Sequence, residues 1–140
     1  MALKSLLGIR RRNLETSGTA LIDALVDIQA NIDSTETVAG TTQQATINTR
    51  YIPANASLVT ITLPATAAVG SIIEVCGQGA GGWKIAQNAG QTINKSASAS
   101  TTGTGGSFAS ANRYNTITLR CNVANTGWVV TGGDGTYTVV

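Results

Sequence analysis

The sequence predicts a mainly β fold: an antiparallel sandwich or barrel of about eight strands, preceded by a basic arm and one short helix. Three observations predict it. Residues 41–140 alternate apolar and polar side chains in short runs separated by Gly, Asn and Ser. Apolar residues make up 42% of the chain, enough for a core, while charged residues make up only 11%, under half of the roughly 25% usual in soluble domains. The polarity is carried instead by Ser, Thr, Asn and Gly, which suits strands and turns better than solvated helices. The length of 140 residues is one β domain's worth.

The elements follow in order. Residues 1–13 form a basic arm in which Lys4, Arg10, Arg11 and Arg12 surround Leu6, Leu7 and Ile9. In residues 14–33, Leu14, Leu21, Leu25, Ile28 and Ile32 recur at spacings of 7, 4, 3 and 4, which lays them on one helix face. Thr19 is the expected N-cap, with Asp23 near the positive end of the helix dipole. A helix of about four turns is marginal alone and needs a partner surface. As heptads, Leu25 and Ile32 fall at a and Leu14, Leu21 and Ile28 at d, a choice that leans toward trimers or tetramers. The plainer alternative is an amphipathic helix docked on its own sheet or on a neighbour.

From residue 41 the expected strands are Ala45–Tyr51, Leu58–Leu63, Ser71–Cys76, Trp83–Gln87, Gln91–Asn94, Asn115–Val123, Gly127–Thr131 and Thr136–Val140. Ile117, Leu119, Cys121 and Val123 share one face of the longest strand. Ala97–Gly106 reads as a long loop, and Gly132-Gly133-Asp134-Gly135 as the turn of a final hairpin. The organisation is therefore residues 1–40, arm and helix, then residues 41–140, the β domain.

Charge is unevenly spread beneath the net +2. Residues 1–12 carry +4, residues 13–36 carry −5, and residues 37–140 carry +3. The short apolar stretch Leu6–Ile9 precedes the arginines, the reverse of a secretory signal, so synthesis in a cytoplasm with Cys76 and Cys121 as reduced, buried thiols is expected. No run of about 20 apolar residues exists, so no membrane helix is expected.

With no histidine and two cysteines, Ser-His-Asp and Cys-His triads are excluded and Cys/His zinc sites lack ligands. Gly77-Gln78-Gly79-Ala80-Gly81-Gly82 matches G-x-G-x-x-G, but a dinucleotide site needs a following helix and an acid about 20 residues on. Trp83–Gln87 alternates as a strand and the next acid after Glu74 is Asp134, so no cofactor is expected. Glu74 and Asp134 are the only acids of the β zone, too few for tuned acid–base chemistry, so no enzyme is expected. Trp83 and Trp128 are expected as core or interface anchors, with sugar stacking as the alternative. Three arginines and Lys4 without interleaved aromatics make a weak nucleic-acid footprint, and an acidic protein surface serves them equally well.

The stretch Ala45–Val140 resembles β domains of tailed-phage virion proteins, found at fibre ends and in capsid cement (decoration) proteins, often as jelly-roll-like sandwiches. The marks are "LPAT" at 63–66, "GQGAGGW" at 77–83, "QNAGQTI" at 87–93 and "ANTGWVVTGG" at 124–133. The resemblance implies a non-enzymatic structural protein on the outer surface of the capsid. The chain lacks room for a fibre shaft, which favours cement that bridges neighbouring capsid subunits. A short tail fibre, spike or head fibre whose β domain binds a host receptor or glycan is the alternative. The expected partners are the major capsid protein and the chain itself, as dimer or trimer, with neither nucleic acid nor membrane. The expected contact residues are Lys4, Leu6, Leu7, Ile9 and Arg10–Arg12 of the arm, and Leu21, Leu25, Ile28 and Ile32 of the helix.

Overall fold

The computed structural model describes residues 34–140. The expected arm and helix, with all eleven of their expected contact residues from Lys4 to Ile32, lie outside the described residues. Half of the described residues are in strands, and none of them is helical.

The strands are β1 Ser34–Val38, β2 Thr42–Gln44, β3 Thr49–Pro53, β4 Val59–Thr62, β5 Ile72–Cys76 and β6 Trp83–Ala86. They continue with β7 Thr92–Lys95, β8 Ser98–Ala99, β9 Ser107–Ser110, β10 Thr116–Val123, β11 Gly127–Asp134 and β12 Thr138–Val139. Two mixed sheets result. The seven-stranded sheet has the order β1-β3-β5-β10-β11-β7-β8, and the five-stranded sheet the order β12-β9-β6-β4-β2.

The expected all-antiparallel pairing is wrong. Five pairings are parallel: β1 with β3, β3 with β5, β2 with β4, β4 with β6, and β7 with β11. From β1 to β6 the chain places successive strands in alternate sheets, so each return to a sheet arrives in the same direction as the strand before. A parallel neighbour needs a crossover connection, and here the strand in the other sheet supplies it. Alternation of side chains fixes which face a residue takes and is silent about strand direction.

The strand count also rises from eight to twelve. β1 lies ahead of residue 41 and pairs with β3. β8 falls inside the expected Ala97–Gly106 loop. β11 runs through Gly132 and Gly133 to Asp134, so the expected four-residue turn there is largely strand, with a bulge opposite Thr118 and Leu119.

Inward side chains of both sheets join one buried cluster. Tyr51, Ile73, Val75, Ile93, Ile117, Leu119 and Trp128 come from the larger sheet, and Val59, Ile61, Trp83, Ile85 and Phe108 from the smaller. Registers stack these residues in columns. Glu36, Tyr51, Val75 and Ile117 are successive partners across one sheet, and Gln43, Ile61, Ile85 and Phe108 across the other. At β1 and β2 the columns end on the polar Glu36 and Gln43, and a charge on the core side of an edge discourages further strand addition, whereas at the β12 edge the second column continues from Phe108 to Val139.

The chain ends of the strands are tied by loops of two kinds. At the end holding residues 63–71, 87–91 and 101–106, buried amides do the tying. Gln91 donates to Pro64 O (2.8 Å) and Asn125 O (2.9 Å), and its Oε1 accepts from Asn88 N (2.8 Å). Gln87 donates to Gln91 O (2.6 Å) and Thr101 O (3.1 Å), and its Oε1 accepts from the Ser100 hydroxyl. That hydroxyl oxygen accepts from Ile93 N (2.9 Å), which completes a satisfied buried network.

The two cysteines are free. Cys121 is buried as expected, with its thiol directed at Val123 O (3.2 Å). Cys76 departs from expectation: it is half-buried, on the outward side of β5 with Ile72 and Glu74. It sits opposite Thr116 in the β5–β10 ladder, five residues along β10 from Cys121, too far for a disulfide at roughly 3.3 Å per residue.

Candidate functional site

The second loop end gathers residues 39–41, 54–58, 77–82 and 111–115. Pro53 O accepts from both Gln78 N (2.9 Å) and Gly79 N (2.7 Å), and Asn55 O accepts from Gly81 N (3.2 Å). Asn55 Nδ2 donates to Ala39 O (2.5 Å). Tyr114 N donates to Gly77 O (2.9 Å), and Gly77 N to Asn115 O (3.0 Å). Asn115 is the hub: its carbonyl also accepts from Trp83 Nε1 (2.9 Å), and its amide donates to Ser110 Oγ (2.6 Å).

These loops approach closely where Gly79 and Gly81 carry no side chain. A Cβ on Gly81 would lie 2.0 Å from the Ser57 carbonyl carbon, and one on Gly79 would lie 2.1 Å from Asn55 O. The G-x-G-x-x-G match is therefore a loop-packing device, followed by strand β6 as expected.

On this scaffold the tip carries Leu58, 45% exposed, and Tyr114, 69% exposed, beside the exposed Arg113. Tyr114 holds φ = 63°, a left-handed conformation that is a genuine outlier for a bulky residue. Such strain persists only where surrounding contacts over-determine it, and it concentrates at functional positions. The chain reaches β1 at Ser34, at the opposite end of the strands from this tip, since Ser34 pairs with Thr49 and Val38 with Pro53.

A second candidate lies along the side of the body. A depression of about 430 Å³ is lined by Lys95, Ser96, Ser98, Gly135, Thr136, Tyr137 and Val139. A smaller one of about 210 Å³ shares Lys95, Ser96 and Tyr137. Lys95 Nζ stands 4.2 Å from the Tyr137 ring centroid, a cation–π contact. Trp83 and Phe108 also pack on that ring, at 5.8 and 6.5 Å between centroids. The Tyr137 hydroxyl donates to Thr116 O. Burial, and then the Asp134 carboxylate, push the phenol above its usual value, so it stays neutral and keeps that bond.

Trp83 and Trp128 are both fully buried, the core-anchor reading, and neither offers a face to a sugar. Trp128 Nε1 is buried without a partner. Glu74 lies on the outer face of its sheet in a two-point ion pair with Arg50, at 3.1 and 3.3 Å. Among the described residues no group of three His, Cys, Asp or Glu could hold a metal.

Leu58, Lys95, Tyr114 and Tyr137 were not singled out by the sequence. Residue type alone does not separate an exposed Tyr114 from the buried Tyr51. The only signal was Arg113-Tyr114-Asn115 in a turn between two alternating runs. No family model matches the chain, and no curated protein matches it.

Proposed function

We propose that this chain is a structural protein of a tailed-phage virion: a capsid cement protein that bridges neighbouring capsid subunits and performs no catalysis. The observation that carries the proposal is the preorganised tip, where Arg113 and the strained, exposed Tyr114 project from loops locked by Asn55 and Asn115. Tyr and Arg are enriched among the residues that dominate protein–protein contacts, and preorganised loops lose little entropy on binding. The resemblance of residues 45–140 to virion β domains supports the same reading. The two sheets would then face one another as a jelly-roll-like sandwich, with the parallel strands β1–β6 as its departure from an antiparallel roll. The arm residues Lys4, Leu6, Leu7, Ile9 and Arg10–Arg12 would grip the major capsid protein. Leu21, Leu25, Ile28 and Ile32 would join two or three copies. A protein that binds only the assembled shell stabilises it by linkage.

One observation favours a second reading. The tip lies at the far end from Ser34, as it would in a short fibre or spike displaying its loops to a host receptor.

The two readings separate on particles assembled without this protein. Cement predicts heads that fill with DNA yet release it at lower temperature than native heads, with unchanged adsorption to host cells. Adding the purified protein back should restore heat resistance. Normal heat resistance with lost adsorption would replace cement by the fibre.

A further inference from the structure

We infer that the depression between β8 and β12 is a second protein-docking site, which takes an extended partner segment and seats one of its carboxylates on Lys95. The inference rests on the assembly reading for the class of partner. It adds the contact that a bridging protein needs besides its tip.

Charge supplies the first argument. Lys95 touches the Tyr137 ring, and among the described residues no carboxylate pairs with it. A cation over a ring still has ammonium donors to offer, and a carboxylate takes them as charge-assisted hydrogen bonds. Ser96, Ser98 and Thr136 add hydroxyls around the same depression.

Strand edges supply the second argument. β8 ends the seven-stranded sheet and β12 ends the five-stranded sheet, and each is only two residues long. Ser98 and Val139 bring both strands to the walls of the depression. Just past the two strands Thr101 N donates to Val140 O (2.9 Å) and ties the edges together. Within β8 and β12 the outer edges present N–H and C=O groups that an extended segment can meet, while alternate side chains enter pockets. Val139, 37% exposed, offers apolar contact beside Lys95. The volume of about 430 Å³ falls in the usual range for binding clefts, roughly 300–1,000 Å³.

The opposite edges differ in the side chains they turn inward. There the core-side residues of β1 and β2 include Glu36 and Gln43. A sugar fits the depression poorly, because Lys95 lies over the Tyr137 ring and Trp83 and Phe108 pack on it as well.

The test is an NMR titration of the full-length protein with blocked pentapeptides of alternating Thr and Val that carry a central Asp or Glu. Saturable shifts should centre on Lys95, Ser98, Tyr137 and Val139. Replacing the central acid by Asn or Gln, or Lys95→Gln in the protein, should weaken binding roughly tenfold or more. Lys95→Arg should retain it, and unchanged peaks elsewhere will show that both variants fold. Equal shifts with acetate alone, shifts with acidic oligosaccharides instead, or none with any peptide would each overturn the inference. Wild-type protein that still restores heat resistance to heads while no peptide binds would remove this site and leave the assembly reading standing. Peptide binding without any effect on heads would do the opposite.

Discussion

At one end of the strands Gln87 and Gln91 fill the space between loops; at the other, Gly79 and Gly81 leave none, so backbones meet directly. Both ends must satisfy the polar groups of several irregular connections. The amide end does so with side chains that are 3% and 1% exposed and reach several carbonyls each. The glycine end adds to the Asn55 and Asn115 side chains a set of backbone N–H groups brought within bonding distance because no Cβ intervenes. The two designs fail differently. Truncating an amide strands donors and acceptors in a dry interior, whereas adding one carbon to a glycine forces two loops apart. The rigid glycine end is also the one that displays Leu58, Arg113 and Tyr114.

The largest expected effect is at the amide end. Gln91→Ala leaves Pro64 O, Asn125 O and Asn88 N without their partner. With penalties of about 1–3 kcal/mol for each stranded buried group, partly relieved by water, the loss should be about 4 kcal/mol. Urea unfolding should show a lower midpoint with an unchanged slope. Destabilisation under 1 kcal/mol would mean that the network is not dry, and the contrast between the two ends would collapse.

How much of this was legible in the sequence depends on what sets each position. β5 and β10 were readable because their neighbours on both sides leave one face buried, so apolar and polar residues must alternate. β1 was not, because an edge strand of Ser, Thr and Glu buries little, and its residues match those of a loop. β9 was missed because Ser107 and Ser110 are buried small polar residues. The motif QNAGQ was visible as punctuation, yet a glutamine that is buried and one in solvent carry the same letter. Partner direction, which makes half of the ten pairings parallel, left no trace in a two-residue period. The candidate sites were less legible still. Lys95 and Tyr137 lie 42 positions apart, and their meeting depends on the path of β7 and of the β11–β12 connection.

The next effect tests the glycine end. In Gly81→Ala the new carbon would meet Ser57 backbone atoms at 2.0 and 2.1 Å, and no flexible side chain can yield. Separating residues 77–82 from 54–58 should cost about 3 kcal/mol, the upper part of the range for overpacking. It should also loosen the tip, so amide exchange at Gly77 and Tyr114, whose N–H groups bond to Asn115 O and Gly77 O, should quicken while that at Gln91 stays slow. Exchange that quickens equally at both ends would show one cooperative unit instead of two separately closed ends.

The smallest effect separates crowding from backbone conformation. Gly90 belongs to the amide end and has φ = +77°, with nothing within 4 Å of a built Cβ. Gly90→Ala therefore adds no collision and leaves the Gln87 and Gln91 side chains in place. Its cost is that of holding an alanine in the left-handed region, about 1 kcal/mol, offset in part by the lower entropy of the unfolded chain. Urea denaturation of this variant beside Gly81→Ala should give losses about threefold apart. If the two were equal, the loop facing Gly81 would yield to the added carbon at no greater cost than a left-handed alanine at Gly90. A clear gap would show that the glycines facing Ser57 and Asn55 are required for contact, while Gly90 is required only for its turn.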